Sequence, residues 1–168
     1  MTVAARETLE DCRGALAELV DGIQGRDWRR KWILAVVLLR SVGHVLDNVD
    51  GKRSSNYRMA IDSWWSKLKD SRPLPIIFWQ LIDQERNSIL KAYQTTAEHE
   101  VAVQLIGIEI RINSAIYEPR TNSTQPTVHH YTFNSGPYKN RDQREVLAEA
   151  IVWWEQQLDA IDRMAELP

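Results

Sequence analysis

Apolar residues recur every three or four positions along most of the chain, which is the spacing of amphipathic helices. The pattern predicts five helices, interrupted before the fourth by the Arg72-Pro73-Leu74-Pro75 stretch, because proline does not fit a helix interior. They are expected over about 6–24, about 27–50, from Ser55 or Asn56 to the proline stretch, from near Pro75 past Tyr93, and over about 141–165.

The second predicted helix is apolar on most of its circumference, so we expect it at the centre of the fold. One apolar line consists of Trp32, Val36, Leu39, Gly43 and Leu46. A neighbouring line starts with two apolar residues and ends with Arg40 and His44. Polar groups at the end of an apolar line predict either an internal pair or a site.

The period of the pattern changes to two after the fourth helix. Isoleucines at positions 106, 108, 110 and 112 alternate with Gly107, Glu109, Arg111 and Asn113, and residues 128–133 form a second strand-like segment. Turn-forming residues lie between the two. The sequence therefore predicts a mainly α fold: one domain over 1–168, a bundle of about five helices, with a β-hairpin or small antiparallel sheet at about 101–133.

Composition narrows the function classes. The 168 residues carry a net charge of −2, so the molecule as a whole has no basic field to attract nucleic acid, and such a role needs a local patch. A single cysteine, Cys12, excludes an intramolecular disulfide and favours a reducing compartment. The chain starts without a signal-like apolar region, and the apolar run 32–39 is too short to span a bilayer. We expect a cytoplasmic protein without membrane contact.

The fourth helix carries charge among its core positions. Counting by three and four places Arg86 on the apolar line that includes Phe78, Ile82 and Ile89, so Arg86 is predicted to face inward, with Asp83 and Lys91 nearer the edges. A buried unpaired charge costs several kcal/mol, so a partner is expected nearby. The candidate partners are Asp47, Asp83, Glu85 and a bound anion.

The second helix repeats this feature. Arg40 and His44 lie one turn apart on one face, and Asp47 follows. If the second and fourth helices pack together, their cations gather in one cleft suited to phosphate, with His44 as general acid or base. A buried arginine–carboxylate pair that fixes helix register explains the same residues without function, and both interpretations stay open.

The predicted ligand-binding set is drawn from these two helices, and the catalytic candidates within it are Arg86 and His44. Its members are Arg40, His44, Asp47, Asp83, Arg86, Asn87, Lys91 and Tyr93. No metal site is predicted, because His129 and His130 are adjacent on a strand and point to opposite faces. No cofactor is predicted either.

Charge is unevenly distributed along the chain. Residues 25–53 hold seven Lys/Arg against three Asp, and residues 141–168 hold three Arg against seven Asp/Glu. These two segments are complementary, which favours a homodimer. The basic run 29–31, which lies between Trp28 and Trp32, is either a solvated helix start or a contact for an RNA backbone.

The octet RNSILKAY, residues 86–93, resembles the signature of HEPN domains. These are helical bundles, many of them ribonucleases of toxin–antitoxin, CRISPR and antiphage systems. The octet matches that signature at Arg86, Asn87 and Tyr93, late in a helix as in that family, but Lys91 stands where the family has its catalytic histidine. Lysine keeps the positive charge but is a poor acid or base unless its pKa is strongly lowered. The resemblance thus implies a non-catalytic or altered member that binds RNA or nucleotide.

Three functions follow from these observations. The first is an HEPN-like RNA- or nucleotide-binding protein of a bacterial toxin–antitoxin or defence system. The second is a protein-interaction module, an antitoxin or immunity-type partner, that uses the hairpin and the acidic last helix. The third is a metal-independent endoribonuclease with His44 as acid/base. Because of Lys91, binding or partnering is favoured over catalysis.

Overall fold

Five α-helices and three strands make up the described part of this computed structural model. It describes the backbone of residues 1–92, 97–105, 108–113 and 127–166, and the side chains of residues 1–89 and 131–166. The helices are α1 (Val3–Ala17), α2 (Gly25–Asn48), α3 (Ser55–Asp70), α4 (Gln84–Ala92) and α5 (Gln143–Glu166). A 3-10 turn, Asp50–Lys52, follows α2, and a π-helical segment, Ile77–Asp83, leads directly into α4.

The three strands lie between α4 and α5. They are β1 (Ala97–Leu105), β2 (Ile108–Asn113) and β3 (Thr127–Phe133), and β1 pairs antiparallel with both others in the order β2-β1-β3. The mainly helical class is therefore confirmed. The insertion predicted at about 101–133 falls mostly on residues whose side chains lie outside the described part, so as a packed unit it stays a prediction.

Helix α2 lies at the centre of the bundle, as its apolar circumference predicts. It contacts α1, α3, α4, α5 and the π-helical segment. Its predicted inward line is buried along its whole length: Trp32, Val36, Leu39, Gly43 and Leu46. The last helix behaves in the same way, since its five predicted inward residues are also buried: Leu147, Ile151, Trp154, Leu158 and Ile161.

The first helix is shorter than predicted. It ends at Ala17 rather than near residue 24, and α2 begins at Gly25, where the sequence predicted a stop. Gly22 and Gly25 have φ angles of 89° and 53°, which are left-handed backbone conformations that a right-handed helix does not use. Leu19 is still buried, so the helical spacing persists in the sequence although the backbone has already turned.

Tryptophans from three elements meet Phe78 in one aromatic cluster. Phe78 lies 5.5 Å from Trp153 and 5.8 Å from Trp65, measured between ring centroids. Trp64 and Trp154 lie 5.6 Å apart. Aromatic pairs at such separations add to the burial of their area, so the cluster ties α3, α5 and the π-helical segment together.

Two buried carboxylates hold the start of α1. Asp50 accepts hydrogen bonds from the backbone amides of Ala4 and Ala5, at 3.2 and 2.9 Å. Asp162 on α5 accepts a 2.7 Å bond from the amide of Thr2 and a 2.8 Å ion pair from Arg6. Both satisfy amides that an α-helix leaves unpaired in its first turn, and they join α1 to the turn after α2 and to α5.

The segment Gly25–Lys52 is long and apolar enough, by length and composition, to cross a membrane. Its most apolar 18-residue window has a mean hydropathy of 1.4, and 39% of that window is buried inside the protein. Core helices of soluble proteins and signal sequences have the same properties, and here α2 packs against α1 and α4.

Replacing Asp162 by asparagine is expected to destabilise the fold by about 1.5–3 kcal/mol, the range for hydrogen bonds to charged groups. The measurement is urea unfolding followed by circular dichroism. Asp159→Asn is the matched control, because Asp159 binds the same Arg6 but is exposed, and exposed pairs contribute about 0.2–1 kcal/mol. Equal losses in the two variants would contradict the role assigned to Asp162.

The same pair predicts a pH dependence. Burial alone raises the pKa of Asp162, but the hydrogen bonds from Arg6 and the Thr2 amide outweigh it and hold that pKa below its ordinary value. A lowered folded-state pKa stabilises the fold above the unfolded pKa of about 3.9, and this stabilisation is lost as the pH falls through the folded value. The stability difference between wild type and Asp162→Asn should therefore be full at pH 6 and shrink below pH 4.

Candidate functional site

The second and fourth helices pack together, which is the condition that the sequence set for a shared site. Helix α2 supplies Arg40, His44 and Asp47, and the end of the π-helical segment supplies Asp83. Arg86 follows on the first turn of α4. The five side chains therefore come from three elements, α2, the π-helical segment and α4, although they do not all line one cleft.

Arg40 and Asp83 form the contact between the two helices. Nε of Arg40 lies 3.5 Å from Oδ1 of Asp83, and the Arg40 side chain is only 15% exposed. Nε and Nη1 of Arg40 are buried and have no hydrogen-bond partner within the described residues. Burial lowers the pKa of Arg40; Asp83 opposes this shift and Arg86 adds to it. The guanidinium group is thus desolvated and only partly neutralised.

Arg86 joins the same network through its neighbour. Its Nη1 donates a 3.0 Å hydrogen bond to Oδ1 of Asn87, and Nδ2 of Asn87 donates a 3.4 Å bond to Oδ2 of Asp83. Of the described carboxylates, none lies within ion-pair distance of Arg86, so the pairing predicted with Asp47, Asp83 or Glu85 is wrong. Among the described residues, Asp83 is therefore the one carboxylate in a network that contains two guanidinium groups, those of Arg40 and Arg86.

The inward-facing charge on this helix is Glu85, not Arg86. Glu85 is 3% exposed and accepts a 3.2 Å hydrogen bond from the indole Nε1 of Trp32, whereas Arg86 is half-buried. The buried residues of this helix are Ile82, Glu85 and Ile89, which are three and then four positions apart. The predicted line ran from Ile82 to Arg86 and then to Ile89, with steps of four and then three. Both spacings are compatible with a helix. The hydrogen-bond donor that α2 supplies, Nε1 of Trp32, selects the spacing that buries Glu85.

Asp47 belongs to a different ion pair. Its Oδ1 lies 2.7 Å from Nη2 of Arg58, which also pairs with Asp62 one turn along α3. Arg58 was not among the predicted site residues. The one sequence signal for it is its i,i+4 spacing to Asp62, which is typical of an ion pair on one helix face. Asp47 is thus engaged between α2 and α3, which leaves less negative charge beside Arg40 than predicted.

His44 lies on the wall of an open cleft of about 550 Å³ between α2 and α3. Arg40, Asp47 and Lys69 line the same cleft. Partial burial lowers the pKa of His44, and the guanidinium groups of Arg40 and Arg86 lower it further, while Asp47 and Asp83 act in the opposite direction. The imidazole is therefore neutral at pH 7, so it can accept a proton but carries no charge for phosphate.

Two predicted residues lie outside the described part. The backbone of Lys91 belongs to α4, but its side chain is not described, and Tyr93 lies outside the described residues. Their contribution to the site stays a prediction. Trp28 and Trp32, which flank the basic run 29–31, are 2% and 0% exposed, and the contact of that run with an RNA backbone stays a prediction.

The described residues contain no group of three or more His, Cys, Asp and Glu side chains arranged to hold a metal ion. Cys12 is buried on the inner face of α1, and burial raises the pKa of its thiol to about 12. A thiol with such a pKa stays protonated at neutral pH, and the thiolate is the nucleophilic form.

Comparison of the chain with family models, with curated proteins and with solved structures finds no match. The resemblance to HEPN domains therefore depends on the octet 86–93 and the helical layout alone.

Glu85→Ala is expected to cost at least about 1–3 kcal/mol of folding free energy, because it leaves the buried indole N–H of Trp32 without its acceptor. Arg86→Ala should cost about 0.5 kcal/mol or less, since its hydrogen bond is to the adjacent residue. Chemical unfolding of the two variants measures both values. If Arg86→Ala is the more damaging of the two, Arg86 has a structural role and the site loses its central residue.

The electrostatic coupling predicts a shift in the His44 titration. Replacing Arg86 by glutamine removes a nearby positive charge, so the pKa of His44 should rise toward its ordinary value. Asp83→Asn removes a negative charge and should lower it further. NMR titration of the imidazole Cε1–H measures both changes. A His44 pKa that does not respond to either substitution would show that the two helices do not share one electrostatic site.

Proposed function

We propose that this chain is an HEPN-like, non-catalytic or altered protein that binds RNA or nucleotide through a phosphate group at Arg40 and Arg86. The observation that supports this most is the partly neutralised Arg40. Its Nε and Nη1 lack hydrogen-bond partners within the described residues, Nε approaches Asp83 only to 3.5 Å, and Arg86 adds a second guanidinium to a network with one described carboxylate. A buried charge without full compensation is costly, and a bound phosphate would supply the missing acceptors.

The groups around Arg40 and Arg86 fit a phosphate better than a carboxylate. Two guanidinium groups, each with several donors, match the three oxygens of a terminal phosphate. Neutral His44 adds a donor or acceptor, and Lys69 lines the same cleft as His44. The proposed setting is a bacterial toxin–antitoxin or defence system, with a cytoplasmic homodimer as the working unit.

The alternative of a protein-interaction module gains nothing from the last helix. Four of its carboxylates are engaged within the chain: Glu149 with Arg141, Glu155 with Arg13, and Asp159 and Asp162 with Arg6. They are therefore less available to a basic partner than the sequence predicts. Co-purification of a partner that depends on residues 101–133 would favour this alternative over phosphate binding.

The test is fluorescence anisotropy with a labelled single-stranded RNA decamer. Arg86→Ala should weaken binding by at least about tenfold, because it removes a charge-assisted contact. It should also reduce the slope of log affinity against log salt by about one. Its melting temperature should stay within about 2 °C of wild type, the shift expected for about 0.5 kcal/mol.

Arg163→Ala is the matched control, because it removes the same charge from an exposed position on α5. It should leave the affinity for RNA unchanged. Unaltered binding by Arg86→Ala, or wild-type protein that binds neither RNA nor mononucleotide, would overturn the proposal. Metal-independent RNA cleavage that is lost in His44→Ala would instead establish a ribonuclease.

A further inference from the structure

A second open cleft, of about 530 Å³, is lined by Asp83, the ion-pair partner of Arg40. The π-helical segment and α4 supply most of its lining, including Trp79, and the turn before them supplies Arg72 and Pro73. This volume falls in the range of small-molecule sites, about 300–1,000 Å³. Of its lining residues, Asp83 and Asn87 also belong to the network of the proposed phosphate site, and the others have no role in that site.

The cleft has a flat, oriented stacking surface. The guanidinium carbon of Arg72 lies 3.8 Å from the centroid of the Trp79 ring, so the two planar groups form a cation–π stack. Nε1 of Trp79 donates a 3.1 Å hydrogen bond to the carbonyl oxygen of Leu74, which holds the indole in place. Guanidinium planes and aromatic rings are the surfaces on which proteins stack unpaired bases.

The same helical segment offers hydrogen-bonding groups. Gln80 and Gln84 are one turn apart, and both line the cleft. Among the described residues, neither side-chain amide has a hydrogen-bond partner. An amide presents both a donor and an acceptor, which is the combination that the edge of a nucleobase requires.

The cleft connects directly to the proposed phosphate site. Asp83 and Asn87 line it, and these two residues link Arg40 to Arg86. The carboxylate of Asp83 disfavours an anion inside the cleft itself. The neutral part of a ligand therefore fits in the cleft, and its phosphate lies outside it, at the guanidinium groups of Arg40 and Arg86. That arrangement matches the two ends of one nucleotide.

We propose that this cleft is a nucleobase subsite, in which an unpaired base stacks against the Arg72–Trp79 pair and hydrogen-bonds to Gln80 and Gln84. The inference depends on the proposed phosphate site and adds the class of group next to it. It predicts that the protein prefers single-stranded nucleotides to other phosphate esters. Duplex nucleic acid, whose bases are already stacked and paired, should bind less well.

The test uses isothermal titration calorimetry with adenosine 5′-monophosphate and ribose 5-phosphate, which share the phosphate and differ in the base. Wild-type protein should bind the nucleotide at least about fivefold more tightly, since stacking of one base contributes this much or more. Arg72→Ala and Gln84→Ala, both at exposed positions, should bring the nucleotide's affinity down to that of ribose 5-phosphate. Neither should change ribose 5-phosphate binding.

Arg86→Ala separates the two proposals, because it should weaken both ligands by the same factor. Equal affinity of wild type for the two ligands would overturn the base subsite and leave the phosphate site standing. Loss of ribose 5-phosphate binding in Arg72→Ala would also overturn it, since Arg72 would then be a phosphate contact. If neither ligand binds the wild-type protein, both proposals fail together.

Discussion

The burial of one stripe of α2 is the interaction on which the rest of the structure depends. Four large apolar side chains and Gly43 form this stripe, and every other α-helix contacts α2. A Cβ at Gly43 would lie 3.1 Å from the Trp154 ring, tighter than nine in ten such contacts, so the ring would have to move by a few tenths of an ångström and glycine favours this close approach of α5. Loss of this packing would separate the aromatic cluster from α2.

The same stripe decides where the polar residues lie. Because Trp32 must be buried, its indole N–H needs an acceptor, and Glu85 turns inward to supply it. That choice places Arg86 one position farther round α4, at the edge of the interface rather than within it. Arg40, one residue beyond buried Leu39, lies at the opposite edge, so Asp83 is the carboxylate it meets. The candidate site is thus formed by groups that central packing left at its margin.

Two open clefts flank this margin, one beside His44 and one beside Trp79. Arg40 lines the first and Asp83 lines the second, and these two residues form an ion pair. A ligand with a charged end and a flat neutral end suits such a combination. Nucleotides have this form, which is why the chemistry of the two clefts favours one ligand class.

The buried lines of α2 and α5 could be predicted well, because helical periodicity and the need to bury apolar area act on neighbouring residues. The end of α1 could not, since apolar spacing continues through Leu19 while Gly22 and Gly25 turn the backbone. Within the site, the spacing of charge left open whether α2 pairs with α4 and offered Asp47 and Asp83 as alternative carboxylates; the structure shows the pairing and places Arg40 beside Asp83. The capture of Asp47 by Arg58 could not be predicted, because Arg58 lies on α3, which the charge pattern did not connect to Asp47.

The sequence by itself determined the mainly helical class, the central position of α2 and the gathering of charge on two helices, because each depends on period and composition along the chain. The tertiary structure alone decided which charge turns inward. Helical spacing allows either Glu85 or Arg86 to lie between the buried Ile82 and Ile89. Glu85 was selected by a single hydrogen-bond donor, Trp32, which is 53 positions away in the chain. A contact so distant in sequence joins two separate helices, so the periodicity within either helix cannot predict which charge is buried.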